Sequence, residues 1–149
     1  DAKSLYTKII NLGQKMILKN LKLIEQGTII RKKQDPTKFI EYWNKRTIED
    51  GKINWKYLSN HIYKLVRATT KPYPGAFTFF QNKKIKIWKA LLTTKMSSKP
   101  GEILKINDLG VFVGTGDKML IIQDVSFEND IQIKANKLFS ENDIGYILE

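Results

Sequence analysis

The side chains of this sequence that are best suited to chemistry are basic. Lys45 and Arg46 are adjacent, and Arg67 and Lys71 are four positions apart. Ammonium and guanidinium groups bind phosphate oxygens through charge-assisted hydrogen bonds, so these four residues are candidate phosphate-binding groups. Each pair also has an alternative role in which it binds no phosphate. Lys45 and Arg46 could form a solvated surface pair, and Arg67, at the end of a predicted helix, could neutralise the helix dipole.

The whole chain shares this positive charge. Its 149 residues contain 26 Lys and Arg against 15 Asp and Glu, a formal net charge of +11. Such a field attracts nucleic acid, acidic lipid or phosphorylated ligands. Only three of the basic residues are arginine, the residue preferred for bidentate phosphate contacts. The abundance of Lys, Ile and Asn is also what an AT-rich genome encodes, so composition alone is a second explanation of the charge.

Other classes of site find little support in the composition. The chain has no cysteine and one histidine, His61, which excludes disulfides, thiolate metal ligands and a Cys nucleophile and disfavours a His-based metal site or a Ser-His triad. No metal is expected. Neither a signal peptide nor an apolar run near the roughly 18 residues of a membrane span is present, so we expect no membrane association and a cytoplasmic location. The chain starts at Asp1, as an excised fragment would.

Two amphipathic helices are predicted; the second contains Arg67 and ends shortly before Lys71. Residues 4–26 carry apolar side chains at spacings of three and four, and Gly27 suits the position after the helix. One helix cannot bury so wide a face alone. After an aperiodic stretch, residues 28–53, Asn54 is expected to cap a second helix at roughly 55–69. Its predicted buried stripe is Trp55, Leu58, Ile62, Leu65 and Val66.

Period-two patterning replaces helical periodicity after the segment KPYPG at 71–75. Strands are predicted at 76–81, 84–93, 102–106, 110–114, 118–125 and 131–134, with tight turns at 82–83, 107–108 and 116–117 and a short helical turn at 135–140. Short strands at this spacing are typical of a small barrel or sandwich. We therefore predict a mainly β, α+β fold, in which two helices and a linker precede a small OB-like barrel.

Two motifs at the change from helix to strand resemble a known family. Residues 66–80 read VRATTKPYPGAFTFF and residues 84–90 read KIKIWKA. Together they resemble the start of the C-terminal barrel in the methionyl-tRNA formyltransferase family. Residues 49–55, EDGKINW, are similar to that family's interdomain linker, and the resemblance covers nearly the whole chain. One position departs from it: Lys118 follows Gly116-Asp117 where the family usually has Gly, which puts the expected turn type in doubt.

The resemblance implies transfer of a formyl group from 10-formyltetrahydrofolate to a primary amine. In such enzymes an N-terminal Rossmann-like domain holds the folate, and its Asn-x-His pair and Asp polarise the formyl carbonyl and manage the amine proton. Here Asn60 and His61 are adjacent, so no catalytic residue is carried over. The fragment alone is expected to bind no cofactor and to be inactive.

The same resemblance implies a division of the chain. Residues 1–27 would be the terminal helix of the missing catalytic domain, residues 28–54 the interdomain linker, and residues 55–149 the C-terminal barrel. Without the catalytic domain, the apolar face of the first helix could pair with a second copy, which would give a homodimer.

The acceptor is open between two branches of the family. Residues 45–51, KRTIEDG, are closer to the RRTPEDG of enzymes that act on nucleotide-linked amino sugars such as UDP-aminoarabinose, and Tyr73 between two prolines points the same way. The positive charge favours the alternative, initiator tRNA. The motif carries more weight, so the nucleotide-sugar is the predicted acceptor. A third class, a stand-alone nucleic-acid-binding OB module, would require that Phe77, Phe79, Trp88 and Phe112 be exposed.

Overall fold

The computed structural model describes residues 1–38, 42, 44–97, 99–128 and 131–149. The chain divides into two compact units, one of Lys3–Arg46 and one of Asp1–Ala2 with Thr47–Glu149. Helix α1, Ala2–Glu25, precedes a 3-10 turn at Pro36–Lys38. The part from Thr47 to Glu149, here called the β unit, holds the second helix and the strands.

Helix α1 confirms the first predicted helix. It ends as its sequence predicts, with Gly27 at a φ of 65° and with the backbone N–H groups of Thr28 and Ile29 donating to the Leu23 carbonyl, a helix end that favours glycine. None of its residues is buried, and Ile9 on its apolar row is 59% exposed. No helix in the described ranges is long and apolar enough to cross a membrane.

The β unit contains one antiparallel sheet. Within the described residues its elements are a 3-10 turn at Ile48–Gly51, α2 (Ser59–Thr69), β1 (Ala76–Phe80), β2 (Lys83–Met96), β3 (Ile103–Asn107), β4 (Gly110–Gly114), β5 (Lys118–Ser126), β6 (Ile133–Lys134), α3 (Ala135–Leu138) and a 3-10 turn at Glu141–Asp143. The strand order is β1-β2-β5-β4-β3, with β6 beside β5. The predicted mainly β, α+β fold is confirmed; the OB-like topology remains a prediction.

The last residues of the chain hydrogen-bond to both outer strands of this order. The Glu149 carbonyl accepts from Phe79 N at 2.8 Å and Glu149 N donates to the Phe79 carbonyl at 3.1 Å, which covers β1. At the other side, Ile103 N on β3 donates to the Tyr146 carbonyl at 2.9 Å. Backbone groups at a sheet edge need such partners, so the C-terminal segment satisfies both edges at once.

The core lies between the inner face of the sheet and α2. On α2, Ile62 and Val66 are buried, and α3 adds Ala135 and the adjoining Phe139. The strands contribute alternate side chains, as half-buried pleats require; these are Ala76, Phe80, Ile85, Ile87, Ala90, Ile103, Val111, Val113, Leu120, Ile122 and Val125. The buried face of α2 therefore holds the helix in place above the strands.

The start predicted for the second helix is wrong. Asn54 Oδ1 accepts a hydrogen bond from Lys56 N at 3.0 Å, which closes a turn rather than a helical cap, and α2 begins only at Ser59. Trp55 is buried as predicted and donates its Nε1–H to Thr78 Oγ1 at 2.9 Å. Leu58, expected in the buried stripe, is 59% exposed because it precedes the helix.

One hairpin turn differs in position from its prediction, and a second, whose type was in doubt, lies where it was predicted. The β1–β2 turn falls on Gln81 and Asn82, with φ values of 49° and 62°, one residue earlier than predicted. At the β4–β5 turn, Lys118 has no positive φ; its carbonyl accepts from Thr115 N at 3.0 Å. The hairpin therefore avoids the left-handed conformation that a lysine resists, which explains why this position does not need glycine.

Candidate phosphate-binding surface

Lys45 and Arg46 are exposed and lie at the end of the first unit. The chain then enters the 3-10 turn at Ile48–Gly51, which Thr47 and Asp50 lock together. Asp50 Oδ2 accepts a hydrogen bond from Thr47 N at 2.6 Å and from Thr47 Oγ1 at 3.2 Å. This reciprocal cap fixes the backbone that directly follows the two basic residues.

The same turn is anchored on strand β1. Gly51 is buried, and a Cβ at that position would lie 2.7 Å from the Gly75 carbonyl oxygen. Lys52 forms a parallel bridge with Phe77, and Ile53 N donates to the Phe77 carbonyl at 2.8 Å. Glycine at 51 is thus required for the close approach of two backbones, and the turn is held against the sheet.

Arg67 and Lys71 both lie at the C-terminal end of α2. Arg67 is exposed in the last turn, where a cation stabilises the helix dipole, and its guanidinium carbon lies 5.3 Å from the Tyr63 ring centroid. Lys71 follows the helix, with Nζ 5.3 Å from the ring centroid of Trp88. These two predicted residues share one end of a helix in the β unit, whereas Lys45 and Arg46 belong to the other unit.

The loop that carries Lys71 packs directly on Trp88. Thr70 Oγ1 donates to the Trp88 carbonyl at 3.3 Å, and Gly75 N donates to the Thr69 carbonyl at 2.9 Å. Gly75 has a φ of 93°, and a Cβ there would lie 3.0 Å from the indole ring. The position of Lys71 is therefore set by the loop and by an aromatic ring beneath its ammonium group.

The N-terminus of α2 is capped by a residue far away in the sequence. Asp117, in the β4–β5 turn, accepts a hydrogen bond from Ser59 N at 2.7 Å and from Thr115 Oγ1 at 3.1 Å. The hydrogen bond from the Ser59 backbone holds the pKa of Asp117 below its usual range. Sequence reasoning missed this contact, since its only local signal is an acidic residue in a predicted turn.

The structure gives His61 a surface position. His61 is exposed on α2, and its ring centroid lies 5.0 Å from that of Tyr57. Among the residues that the structure describes, no group of three or more His, Asp or Glu side chains is arranged to hold a metal ion.

The aromatic side chains proposed for base stacking are mostly covered. Phe77 is 1% exposed, Trp88 6% and Phe112 5%, and Phe79 is half-buried. Stacking on a base requires an open ring face. The stand-alone nucleic-acid-binding module requires an exposed aromatic platform, and these four side chains do not form one.

Fold and sequence together define the class of domain. Residues 45–143 match the family described as formyl transferase, C-terminal domain. The chain belongs to that family, as its motifs at 66–90 predicted.

The proteins similar to this chain include a bifunctional polymyxin resistance protein and methionyl-tRNA formyltransferases. The chain is 35% identical, over 95% of its length, to the bifunctional polymyxin resistance protein ArnA of Wigglesworthia glossinidia brevipalpis, of which it covers 23%. It is 31% identical, over 96% of its length, to the methionyl-tRNA formyltransferase of Alkaliphilus metalliredigens and covers 45% of that protein. It is 35% identical, over 91% of its length, to the methionyl-tRNA formyltransferase of Geobacter metallireducens and covers 42% of that protein. The chain thus spans less than half the length of each relative.

Solved structures show the same fold. HypX from Aquifex aeolicus, crystallised in complex with tetrahydrofolic acid, aligns with 85% of this chain at a TM-score of 0.66 and 23% identity, and the match covers 22% of that protein.

Proposed function

We propose that this chain is the acceptor-side region of an enzyme that moves a formyl group from 10-formyltetrahydrofolate to the amine of a nucleotide-linked amino sugar. Membership of the formyl transferase family supports the reaction. The observation that carries the choice of acceptor is the segment KRTIEDG at 45–51, whose Thr47–Asp50 cap and buried Gly51 make it a fixed turn on β1.

Lys45 and Arg46 contact the phosphates of the acceptor in this proposal. They directly precede the turn at 47–51 in the sequence, and the Thr47–Asp50 cap orders the backbone of that turn before a ligand binds. A nucleotide-linked sugar carries phosphates that such cations recognise through charge-assisted hydrogen bonds. Arg67 and Lys71 at the end of α2 are proposed as a second basic pair that can bind acceptor phosphates.

The donor is held and activated outside this chain. The groups that polarise a formyl carbonyl must lie against the reacting atoms, whereas His61 is exposed on a helix with Tyr57 as its neighbour. The residues described here do not fit a folate site. Incubating the purified chain with 10-formyltetrahydrofolate and each candidate amine should therefore give no formylated product above background; measurable turnover would contradict this assignment.

The acceptor is tested in the full-length protein that contains this segment. We expect formylation of a UDP-linked amino sugar. The double variant Lys45→Ala, Arg46→Ala should raise the KM for that sugar about tenfold or more, since each charge-assisted contact contributes about 1.5–3 kcal/mol, with little change in kcat. The matched control Lys32→Ala, Lys33→Ala removes the same charge from an exposed run and should leave KM within about twofold. An unchanged KM in the first variant would overturn the assignment of Lys45 and Arg46.

Initiator tRNA is the second candidate acceptor, and the net charge of +11 favours it, because each phosphate contact releases counterions. The same full-length protein should then formylate methionyl-tRNA and not the sugar, with a KM that rises steeply between about 50 and 200 mM salt. That result would replace the nucleotide-sugar assignment.

Residues 1–27 are the terminal helix of the catalytic domain in this proposal. The apolar face of α1, with Ile9 and Ile17 exposed, packs on that domain in the parent enzyme, and in the isolated chain it pairs with a second copy. Sedimentation should show a dimer for the chain and a monomer for the double variant Ile9→Glu, Ile17→Glu. If the unsubstituted 149-residue chain sediments as a monomer, the pairing through α1 is contradicted.

A further inference from the structure

We propose that one face of the β1–β2 hairpin, formed by Lys71, Lys84 and Lys86 and called here the lysine face, binds the diphosphate of a nucleotide. This inference rests on the proposed function, because it assigns the part of the acceptor that the β unit recognises. It differs from the assignment of Lys45 and Arg46 in relying on side chains that the sheet itself positions.

Strand register places Lys84 and Lys86 on one side of the sheet. Lys84 pairs with Phe79 and Lys86 pairs with Phe77 across β1 and β2, and directly paired residues point to the same face. The Nζ atom of Lys84 lies 3.7 Å from the centroid of the Phe77 ring. The aromatic side chains of β1 are therefore the floor on which these lysines lie.

Trp88 brings a lysine of the preceding loop to the same face. The Nζ atoms of Lys71 and Lys86 lie 5.3 Å and 5.8 Å from its ring centroid. The strand pairing passes from Ile87 to Lys89 with a register shift, which leaves Trp88 at a β-bulge. Bulges redirect side chains beside functional sites. The ammonium groups of Lys71 and Lys86 therefore both lie close to the same indole ring.

The indole ring of Trp88 is held in one position by its contacts. Its Nε1–H donates to the buried Ser126 Oγ at 2.9 Å, Gly75 packs on the ring, and only 6% of the residue is exposed. A buried, hydrogen-bonded ring is a rigid support. The ammonium groups that lie over it are therefore partly ordered before any ligand arrives, which lowers the entropy cost of binding.

Charge balance indicates an anionic ligand. Neither Lys71 nor Lys84 has a carboxylate within ion-pair distance among the residues that the structure describes. Their ring contacts attract these two cations without neutralising them. A diphosphate supplies several oxygens and at least two negative charges in one small group, so in this proposal it accepts hydrogen bonds from the ammonium groups of the lysine face. A neutral sugar or base would supply no negative charge to Lys71 and Lys84.

The test measures binding by the 149-residue chain, independent of turnover. Calorimetric titrations with UDP, inorganic pyrophosphate and uridine at about 50 mM salt compare the parent chain with two double variants. Lys84→Gln, Lys86→Gln removes two charges from the lysine face. Lys105→Gln, Lys137→Gln removes two elsewhere, and Lys105 has the same kind of contact, with Nζ 6.0 Å from the Phe112 ring centroid. Urea midpoints verify that all three chains are folded.

We expect UDP and pyrophosphate to bind and uridine not to bind. The Kd for UDP should rise at least tenfold in the Lys84→Gln, Lys86→Gln variant and stay within twofold in the control, and Lys84→Arg, Lys86→Arg should restore binding. Equal losses in both variants would show a general charge effect and overturn the proposal, as would binding of a 20-nucleotide RNA without binding of UDP. If UDP binds as expected but the full-length protein does not formylate a UDP-linked sugar, the proposed acceptor fails while the lysine face stands.

Discussion

The two long helices of this chain have similar patterns and opposite environments. Helix α1 has 24 residues, an apolar row along its length and no buried residue. Helix α2 has 11 residues and buries Ser59, Ile62 and Val66. Amphipathic spacing predicts that a helix has an apolar face; it does not say what covers that face. The shorter helix is the one whose face is covered.

Attachment to the sheet explains the difference for α2. Its first residue donates to the Asp117 carboxylate, and Thr70, directly after its last residue, donates to the Trp88 carbonyl. One end is thus joined to the β4–β5 turn and the other to β2, and Ile62 and Val66 lie between these ends in the core. The covered face is a property of the β unit as a whole, so stability should respond to its residues and not to those of α1.

The largest expected effect tests that distinction directly. Ile62→Ala removes a side chain that is 1% exposed and should lower the free energy of unfolding of the β unit by about 2–5 kcal/mol, through lost burial and a residual cavity. Ile9→Ala on α1 should change it by less than about 0.5 kcal/mol. Urea unfolding followed by tryptophan fluorescence measures both. A comparable loss for Ile9→Ala would mean that the stability of the β unit depends on α1.

Alanine substitutions at Gly51 in the β unit and at Gly13 in α1 test the same difference between the two regions. Gly51→Ala would place a Cβ 2.7 Å from the Gly75 carbonyl and should cost about 1–3 kcal/mol, since backbone cannot easily move aside. At Gly13, inside α1, a Cβ would meet nothing within 4 Å. Gly13→Ala should therefore raise helicity, worth about 0.5–1 kcal/mol in the helix. Urea midpoints report the first change and far-ultraviolet circular dichroism the second; a neutral Gly51→Ala would show that the turn is not anchored.

Local signals accounted for most of the fold. The extent of α1 and its end at Gly27, the position of β4 at Gly110–Gly114, and the switch to strands after Gly75 all follow from patterns within a few residues. The start of α2 did not, because its cap is Asp117 rather than Asn54. A contact over 58 residues leaves no trace in local periodicity, and the same holds for the C-terminal residues that cover β1 and β3.

The candidate site was predictable only in its residue types. Lys71 stood out as a basic residue in a recognisable motif, but its contact with Trp88 depends on how the loop folds onto β2. Period-two alternation correctly places Ile85 and Ile87 on the opposite face from Lys84, Lys86 and Trp88. It does not predict the register shift at Trp88, because the extra residue of a β-bulge has no signal in the alternation that precedes it.

The smallest expected effect concerns the cap that joins α2 to the β4–β5 turn. The hydrogen bond from the Ser59 backbone lowers the pKa of Asp117 in the folded chain, whereas an unfolded Asp titrates near about 3.9. The ionised carboxylate therefore stabilises the fold fully above about pH 4, and this contribution is lost as the pH falls through the lower, folded pKa. Asn at this position can still accept the hydrogen bond, but it lacks the negative charge that interacts favourably with the helix N-terminus, so Asp117→Asn should cost about 0.5–1 kcal/mol at pH 7.

The pH dependence separates this cap from a general charge effect. The difference in unfolding free energy between the parent chain and Asp117→Asn should shrink as the pH is lowered from about 5 toward 2, because protonation removes the charge that the variant already lacks. Asp108, exposed in the β3–β4 turn, provides the matched control: Asp108→Asn makes the same chemical change and should alter stability by less than about 0.5 kcal/mol at pH 7. Urea midpoints across this range measure all three chains. If the difference in unfolding free energy between the unsubstituted chain and Asp117→Asn stays constant with pH, the ionised carboxylate is not what stabilises the start of α2.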